Sequence, residues 1–142
     1  MYQFMMYTSK KVLFLIKRFE MRKILIVEDH ADIRRLIRMT LEFEEYAIYE
    51  ATDGEDGLFI AAQIKPDLVL LDVMMPGAVD GLQVCRALKA LSHPPRILLL
   101  SARGRSEDLA AGAQAGADAY LVKPFSPLQL IDTISQQWPE HL

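Results

Sequence analysis

Cysteine is nearly absent from this 142-residue chain, and Cys85 stands alone. A lone thiol cannot close an intramolecular disulfide, and no Cys/His grouping has the spacing of zinc ligands, so a reducing, cytoplasmic setting is expected. Long hydrophobic runs are also missing. The one stretch that hints at targeting, Val12 to Ile16 after Lys10 and Lys11, falls far short of the roughly 20 residues that span a bilayer. Lys17 and Arg18 follow it where an export signal would carry small residues for cleavage, so neither a membrane span nor a signal peptide is expected. An excess of positive charge is lacking too. Sixteen Lys and Arg stand against nineteen Asp and Glu, a net charge of −3, which speaks against nucleic acid as a partner.

What remains is material for a core. Hydrophobic residues make up 51% of the chain, well above the composition of disordered segments, and the length suits one domain. From Lys23 onward short apolar runs alternate with amphipathic stretches. Ile24 to Val27, Leu68 to Leu71 and Ile97 to Leu100 lack polar alternation, as strands buried on both faces do. Ala47 to Ala51 and Tyr120 to Val122 read as two weaker strands, and Thr52-Asp53-Gly54 as a turn.

Between them lie helical patterns. Ile33, Leu36, Ile37, Thr40 and Leu41 form an apolar stripe, with Arg34, Arg35 and Arg38 on or near its other side. Leu58 to Ile64 is a second helix, closed by Pro66. A third is capped by Asp80 with Gln83 reaching back, and its apolar face is Leu82, Cys85, Leu88 and Leu91. Cys85 there reads as a small core residue rather than a reactive thiol. Ser106 is the expected cap of a fourth, alanine-rich helix with a thin apolar face. Ser126-Pro127-Leu128-Gln129 is a capping box with proline at the first helical position, leading into Leu128, Ile131 and Ile134.

Five repeats of strand then helix predict a parallel sheet covered on both faces, a doubly wound α/β sandwich. Ligands of such folds gather at the carboxyl ends of the strands, near the point where strand order reverses. The residues at those ends are Glu28 and Asp29, Asp72, Ser101 and Lys123. Carboxylates crowded together repel by about 4 kcal/mol per pair at 4 Å and an effective dielectric near 20. An oxygen-only acidic cluster suits Mg²⁺, and Lys123 adds a fixed positive charge. A cation, an ammonium and a small hydroxyl can together hold a phosphoryl group, with one carboxylate acting as nucleophile.

Four segments sharpen this reading. Lys23-Ile24-Leu25-Ile26-Val27-Glu28-Asp29, Leu71-Asp72-Val73-Met74-Met75-Pro76-Gly77, Leu100-Ser101-Ala102 and Tyr120-Leu121-Val122-Lys123-Pro124-Phe125 resemble the signature segments of response-regulator receiver domains. The resemblance covers about residues 22 to 138 and implies a flavodoxin-like (βα)5 three-layer sandwich. It implies that Asp72 accepts a phosphoryl group from a histidine kinase or histidine phosphotransfer protein. Glu28, Asp29, Asp72 and the backbone carbonyl of Met74 would hold Mg²⁺. Lys123 would pair with the phosphoryl group, and Lys123-Pro124 would be cis. Ser101 would move to a phosphoryl oxygen with Tyr120 swinging inward behind it, while Met74 and Arg103 would modulate water access. The acidic pair departs from the family's commoner Asp-Asp: the longer Glu28 is expected to reach the metal through water.

The expected function is a two-component phosphorylation switch, similar to the stand-alone chemotaxis-type regulators, that promotes only its own phosphorylation and dephosphorylation. Output would pass to a downstream effector protein, because no room for an output domain follows the fifth helix. The readout face would be the fourth helix, last strand and fifth helix, with the protein a monomer or a weak dimer through that face. Two rivals come from other classes. An aspartyl-phosphate phosphatase or mutase would need a second carboxylate where Met74 stands and a substrate cap. A phosphorylation-independent receiver-fold scaffold would not need Asp72, Ser101 and Lys123 together. His30 reads as a surface histidine. Residues 1–21 stand apart from the domain at 22–142. They are either an extension upstream of a natural start at Met21 or a helix over Val12 to Phe19 that packs on the domain or on another chain.

Overall fold

The structure is a computed structural model that describes residues 10–13 and 21–141. Five strands alternate with five helices: β1 (Arg22–Val27), α1 (Ala31–Glu42), β2 (Tyr46–Ala51), α2 (Gly54–Ile64), β3 (Leu68–Asp72), α3 (Gly81–Lys89), β4 (Arg96–Ser101), α4 (Ser106–Gln114), β5 (Ala119–Val122) and α5 (Pro127–Ser135). A short 3-10 turn, Pro139–His141, follows. All strand pairings are parallel, in the order β2-β1-β3-β4-β5. This is the doubly wound sandwich that the alternation predicts, in the flavodoxin-like form that the resemblance implies. The order reverses between β1 and β3, which sets the last residues of those two strands side by side.

The period-2 geometry of a strand explains why the central runs are continuously apolar. Leu25, Val27, Val69, Leu71, Ile97 and Leu99 face one layer, against Ala61 of α2 and Val84, Cys85 and Leu88 of α3. Ile24, Ile26, Leu68, Leu70, Leu98 and Leu100 face the other, against Ile37 and Leu41 of α1, Leu130 and Ile134 of α5, and Trp138. Cys85 is fully buried, and burial pushes its thiol up to about 11, so it is the inert core residue expected.

Several local expectations need correction. Asp53 does not sit in an isolated turn; its carboxylate accepts the Asp56 amide at 2.8 Å and caps α2, which begins at Gly54. The cap of α4 is Arg105 rather than Ser106, and the Asp108 carboxylate accepts the Arg105 amide at 3.2 Å. Leu91 lies past the end of α3 and is half exposed; Val84 takes its place in the buried face. Leu36 of α1 and Leu128 of α5 are exposed, and Leu130 replaces Leu128 in the core. The caps are errors of helix boundary, Leu91 and Leu128 lie at or past a helix end, and Leu36 sits mid-helix on the side that turns from the core. The capping boxes at Asp80 and Ser126 are formed as read, with Pro127 at the start of α5.

Residues 10–13 are helical and exposed. The remainder of the predicted Val12 to Phe19 helix lies outside the described residues. Among the described residues no helix is long and apolar enough to cross a membrane.

Candidate functional site

The carboxyl end of β1 runs directly into Glu28 and Asp29, and β3 ends in Asp72. The Glu28 amide donates to Ala51 of β2 at 3.2 Å, so the ladder extends one residue past β1 and fixes the acidic turn. Gly81 brings the start of α3 against the end of β3. A side-chain carbon there would lie 2.2 Å from the Asp72 carbonyl oxygen, so only glycine allows this approach. Lys123 follows β5, with its amide donating to the Ser101 carbonyl at 2.7 Å, and Lys123-Pro124 is cis.

These elements bring Glu28, Asp29, Asp72 and Lys123 together. Lys123 Nζ donates to Glu28 Oε1 at 2.7 Å and lies 3.4 Å from Asp72 Oδ1. Glu28 is fully buried and Asp72 only 2% exposed. Burial pushes the Asp72 carboxyl up to about 6, and the neighbouring Glu28 carboxylate pushes the same way; Lys123 and the Met74 amide, which donates to Asp72 Oδ1 at 3.3 Å, oppose them. Among the described residues three carboxylates face one ammonium, and two buried oxygens, Glu28 Oε2 and Asp29 Oδ1, have no hydrogen-bond partner. A buried, unpartnered carboxylate oxygen is costly. A hard divalent cation is the group that an all-oxygen set of this charge fits, so the residues present suit Mg²⁺. Glu28, expected to reach the metal through water, here clasps Lys123 from inside the site.

Ser101 and Tyr120 are near this cluster but engaged elsewhere. Ser101, 1% exposed, accepts the Arg103 amide on its Oγ at 3.1 Å, and the half-buried Tyr120 donates its hydroxyl to the Arg103 carbonyl at 2.7 Å. Both therefore hold the backbone of one residue in the loop between β4 and α4. The side chains of Met74 and Arg103 are exposed and line a cavity of about 470 Å³ together with Val73, Met75, Pro76, Asp80 and Leu82.

Sequence reasoning missed two neighbours. Arg34 does not merely face solvent from α1: its Nη1 donates to the Glu28 carbonyl at 2.8 Å, one turn after the helix start. His30, read as a surface histidine, is exposed, yet its Nδ1 lies 3.3 Å from Asp29 Oδ1 and 3.9 Å from Glu28 Oε1. The signal in both cases was position: one residue and five residues after Asp29, at a helix start that the carboxyl end of β1 feeds.

Comparison with known proteins agrees with this geometry. Residues 24–135 match the response regulator receiver domain family. The chain is 47% identical over 109 residues to the transcriptional regulatory protein ResD of Bacillus subtilis, covering 77% of this chain and 45% of that protein. It is 43% identical, over the same length, to the response regulator MprA of Mycolicibacterium vanbaalenii, covering 77% of this chain and 47% of that one. The chain thus spans about half the length of the curated relatives it matches. Among solved structures, the chemotaxis protein CheY4 of Vibrio cholerae superposes with a TM-score of 0.78 at 32% identity, covering 83% of this chain and 99% of that one. A CheY-like receiver domain protein of Methanospirillum hungatei gives a TM-score of 0.79 at 27% identity, covering 86% and 97%. With an acidic cluster of Glu28, Asp29 and Asp72 at the strand ends of a sheet in this order, the chain belongs to the response regulator receiver domain family.

Proposed function

We propose that this receiver is a phosphorylation switch in which Asp72 accepts a phosphoryl group from a histidine kinase or a histidine phosphotransfer protein. One observation carries the reading: Asp72 is a buried carboxylate at the switch point, with the Lys123 ammonium in reach and acidic oxygens without hydrogen-bond partners beside it. With its carboxyl at about 6, Asp72 is mostly ionised at neutral pH and available as a nucleophile. A carboxylate oxygen attacks phosphorus; the new O–P bond makes an acyl phosphate, the N–P bond breaks, and its electron pair returns to the donor imidazole.

Glu28, Asp29, Asp72 and the Met74 carbonyl are the residues that would hold Mg²⁺, which when bound neutralises charge on the phosphoryl oxygens. Lys123 supplies the second, fixed positive charge. Ser101 and Tyr120 are the switch pair. Turning the Ser101 hydroxyl from the Arg103 amide toward a phosphoryl oxygen loosens one of two bonds on that residue, and Tyr120 can then leave the Arg103 carbonyl and move inward. Gly112 is the only residue of α4 that is buried, so this helix is held weakly enough to respond. Leu109 of α4, Val122 of β5 and Leu128 of α5 are exposed apolar side chains, which supports these three elements as the face that meets a downstream effector protein. We assign residues 22–142 to the receiver and residues 1–21 to an extension.

Incubation with Mg²⁺ and a small-molecule phosphodonor, followed by intact-mass analysis, tests the reading. A single adduct on the wild type and none on Asp72→Asn is expected. No adduct on either chain leaves a scaffold, and sustained phosphate release in place of an adduct makes it a hydrolase. Met74 and Arg103 flank the approach of water, so Arg103→Ala should change the rate at which the adduct decays; an unaltered rate removes Arg103 from the mechanism.

A further inference from the structure

His30 occupies the N-cap position of α1 in extended backbone, yet its side chain makes no capping hydrogen bond. A residue at this position ordinarily serves the helix by accepting one of its free amides. This imidazole instead lies against the acidic turn, with Nδ1 3.3 Å from Asp29 Oδ1 and 3.9 Å from Glu28 Oε1. One potential ligand atom from each of Glu28, Asp29, His30 and Asp72 lies within 4.8 Å of every other. Two ligands on one ion, each bound at about 2.0–2.2 Å, are at most about 4.4 Å apart, so the set is within a small adjustment of enclosing a single cation. The acidic cluster is not the only sign of a ligand. Glu28 is fully buried and its Oε2 has no hydrogen-bond partner.

We infer that His30 is a fourth side-chain ligand, which makes this a mixed nitrogen and oxygen site that favours imidazole-binding divalent ions such as Fe²⁺, Co²⁺ and Zn²⁺ over Mg²⁺. The inference rests on the acidic site proposed above and deepens it. Three carboxylate oxygens alone suit Mg²⁺ well and discriminate weakly among hard ions. An imidazole nitrogen adds little for Mg²⁺, which keeps oxygen and water ligands, but strengthens binding of the later first-row ions. The His30 side chain is 64% exposed, so it can rotate onto a metal without disturbing the core. The imidazole makes no capping hydrogen bond that binding would break, and the contacts it does make are with the acidic residues of the site itself.

The test is calorimetric titration of the full chain with Co²⁺ and with Mg²⁺, together with the visible absorption of bound Co²⁺, for wild type, His30→Ala and His30→Asn. Asparagine is a good N-cap without an imidazole, so it separates loss of the ligand from damage to the helix. Both variants should weaken Co²⁺ by about tenfold or more, change Mg²⁺ affinity by less than about twofold, and shift the Co²⁺ absorption. Asp29→Asn should abolish the same absorption band, tying it to this site rather than to His93. A Co²⁺-to-Mg²⁺ affinity ratio that is the same in all three chains overturns the inference, as does a band that survives Asp29→Asn. Neither result touches the phosphoacceptor reading, provided that Mg²⁺ still binds; failure of the wild type to bind Mg²⁺ would count against the acidic site itself.

Discussion

The two ends of the parallel sheet handle charge in opposite ways. At the amino ends of the strands, carboxylates are matched with donors. Asp67 accepts the Lys23 amide at 2.7 Å, and Asp118 accepts Lys89 Nζ at 2.9 Å and the Ile97 amide at 2.8 Å while pairing with Arg96 at 3.2 Å. Glu140 takes two bonds from Arg22, whose guanidinium lies 4.5 Å over the Trp138 ring, and Trp138 donates to the Tyr46 hydroxyl. Arg96 Nε is the exception there, a buried donor with no partner. At the carboxyl ends, Glu28 and Asp29 each keep an unpartnered buried oxygen and Asp72 is held above its ordinary range. One end is a set of closed bonds that fastens the layers together. The other holds unrelieved charge that a ligand can relieve, which is how sites for charged groups are commonly built.

Removing a carboxylate should therefore have opposite signs at the two ends. Asp118→Ala takes away the partner of Lys89, Arg96 and the Ile97 amide at a largely buried position. A loss of about 3–4 kcal/mol in urea unfolding is expected, because donors are left without acceptors. A loss below about 1 kcal/mol would mean that the amino end is no more closed than the other. Asp72→Asn should instead stabilise the Mg²⁺-free chain, by about 2–3 kcal/mol at pH 7.5. The sign follows from linkage. Folding raises the Asp72 carboxyl from 3.8 to about 6, so the native state holds this proton more tightly. The associated stability is present below pH 4, declines as pH rises through about 6, and is replaced above that by the full cost of burying the charge. The advantage of the variant over the wild type should accordingly shrink toward pH 4, and should also shrink at pH 7.5 when Mg²⁺ is added. An advantage that is equal at both pH values would show that relief of charge is not its source.

The same contrast explains what could be read from the sequence. The sheet was legible because Ile24 to Val27, Leu68 to Leu71 and Ile97 to Leu100 are apolar on both faces, and only a covered parallel sheet accommodates such strands. The acidic cluster was legible for a related reason: a topology of this kind brings the residue after each strand to one edge, whatever their separation in sequence. Details decided by helix phase were not. Leu36, Leu91 and Leu128 satisfy an apolar stripe on paper, yet each sits where its helix turns away or has ended. Trp138 lies beyond the last helical pattern, and its burial depends on Tyr46, 92 positions away, and on Arg22, which no local periodicity reveals. Arg34 and His30 escaped because their partners are a backbone carbonyl and two carboxylates on the preceding turn, and composition alone makes such residues look solvated.

Arg34 also gives the finest test of the contrast, since it is a closed bond reaching into the open end. Its guanidinium fixes the Glu28 carbonyl at 2.8 Å, and it is only 19% exposed. Arg38, one turn further on, pairs with Glu42 and Glu50, both at 3.2 Å, and is 39% exposed. Both arginines lie on α1 and both contact Glu50, so a change at either perturbs the same helix and the same acid. A charged hydrogen bond to a part-buried carbonyl is worth about 1.5–3 kcal/mol, of which only a part bears on the metal, whereas an exposed ion pair is worth about 0–1 kcal/mol. Arg34→Ala should thus weaken Mg²⁺ binding about five- to tenfold, by letting the acidic turn relax before the metal arrives. Arg38→Ala should leave Mg²⁺ affinity within about twofold of wild type. Calorimetric Mg²⁺ titration of both variants decides it. If the two fall together, the effect belongs to the charge of the helix as a whole, and the acidic turn owes its shape to the β1–β2 ladder rather than to Arg34.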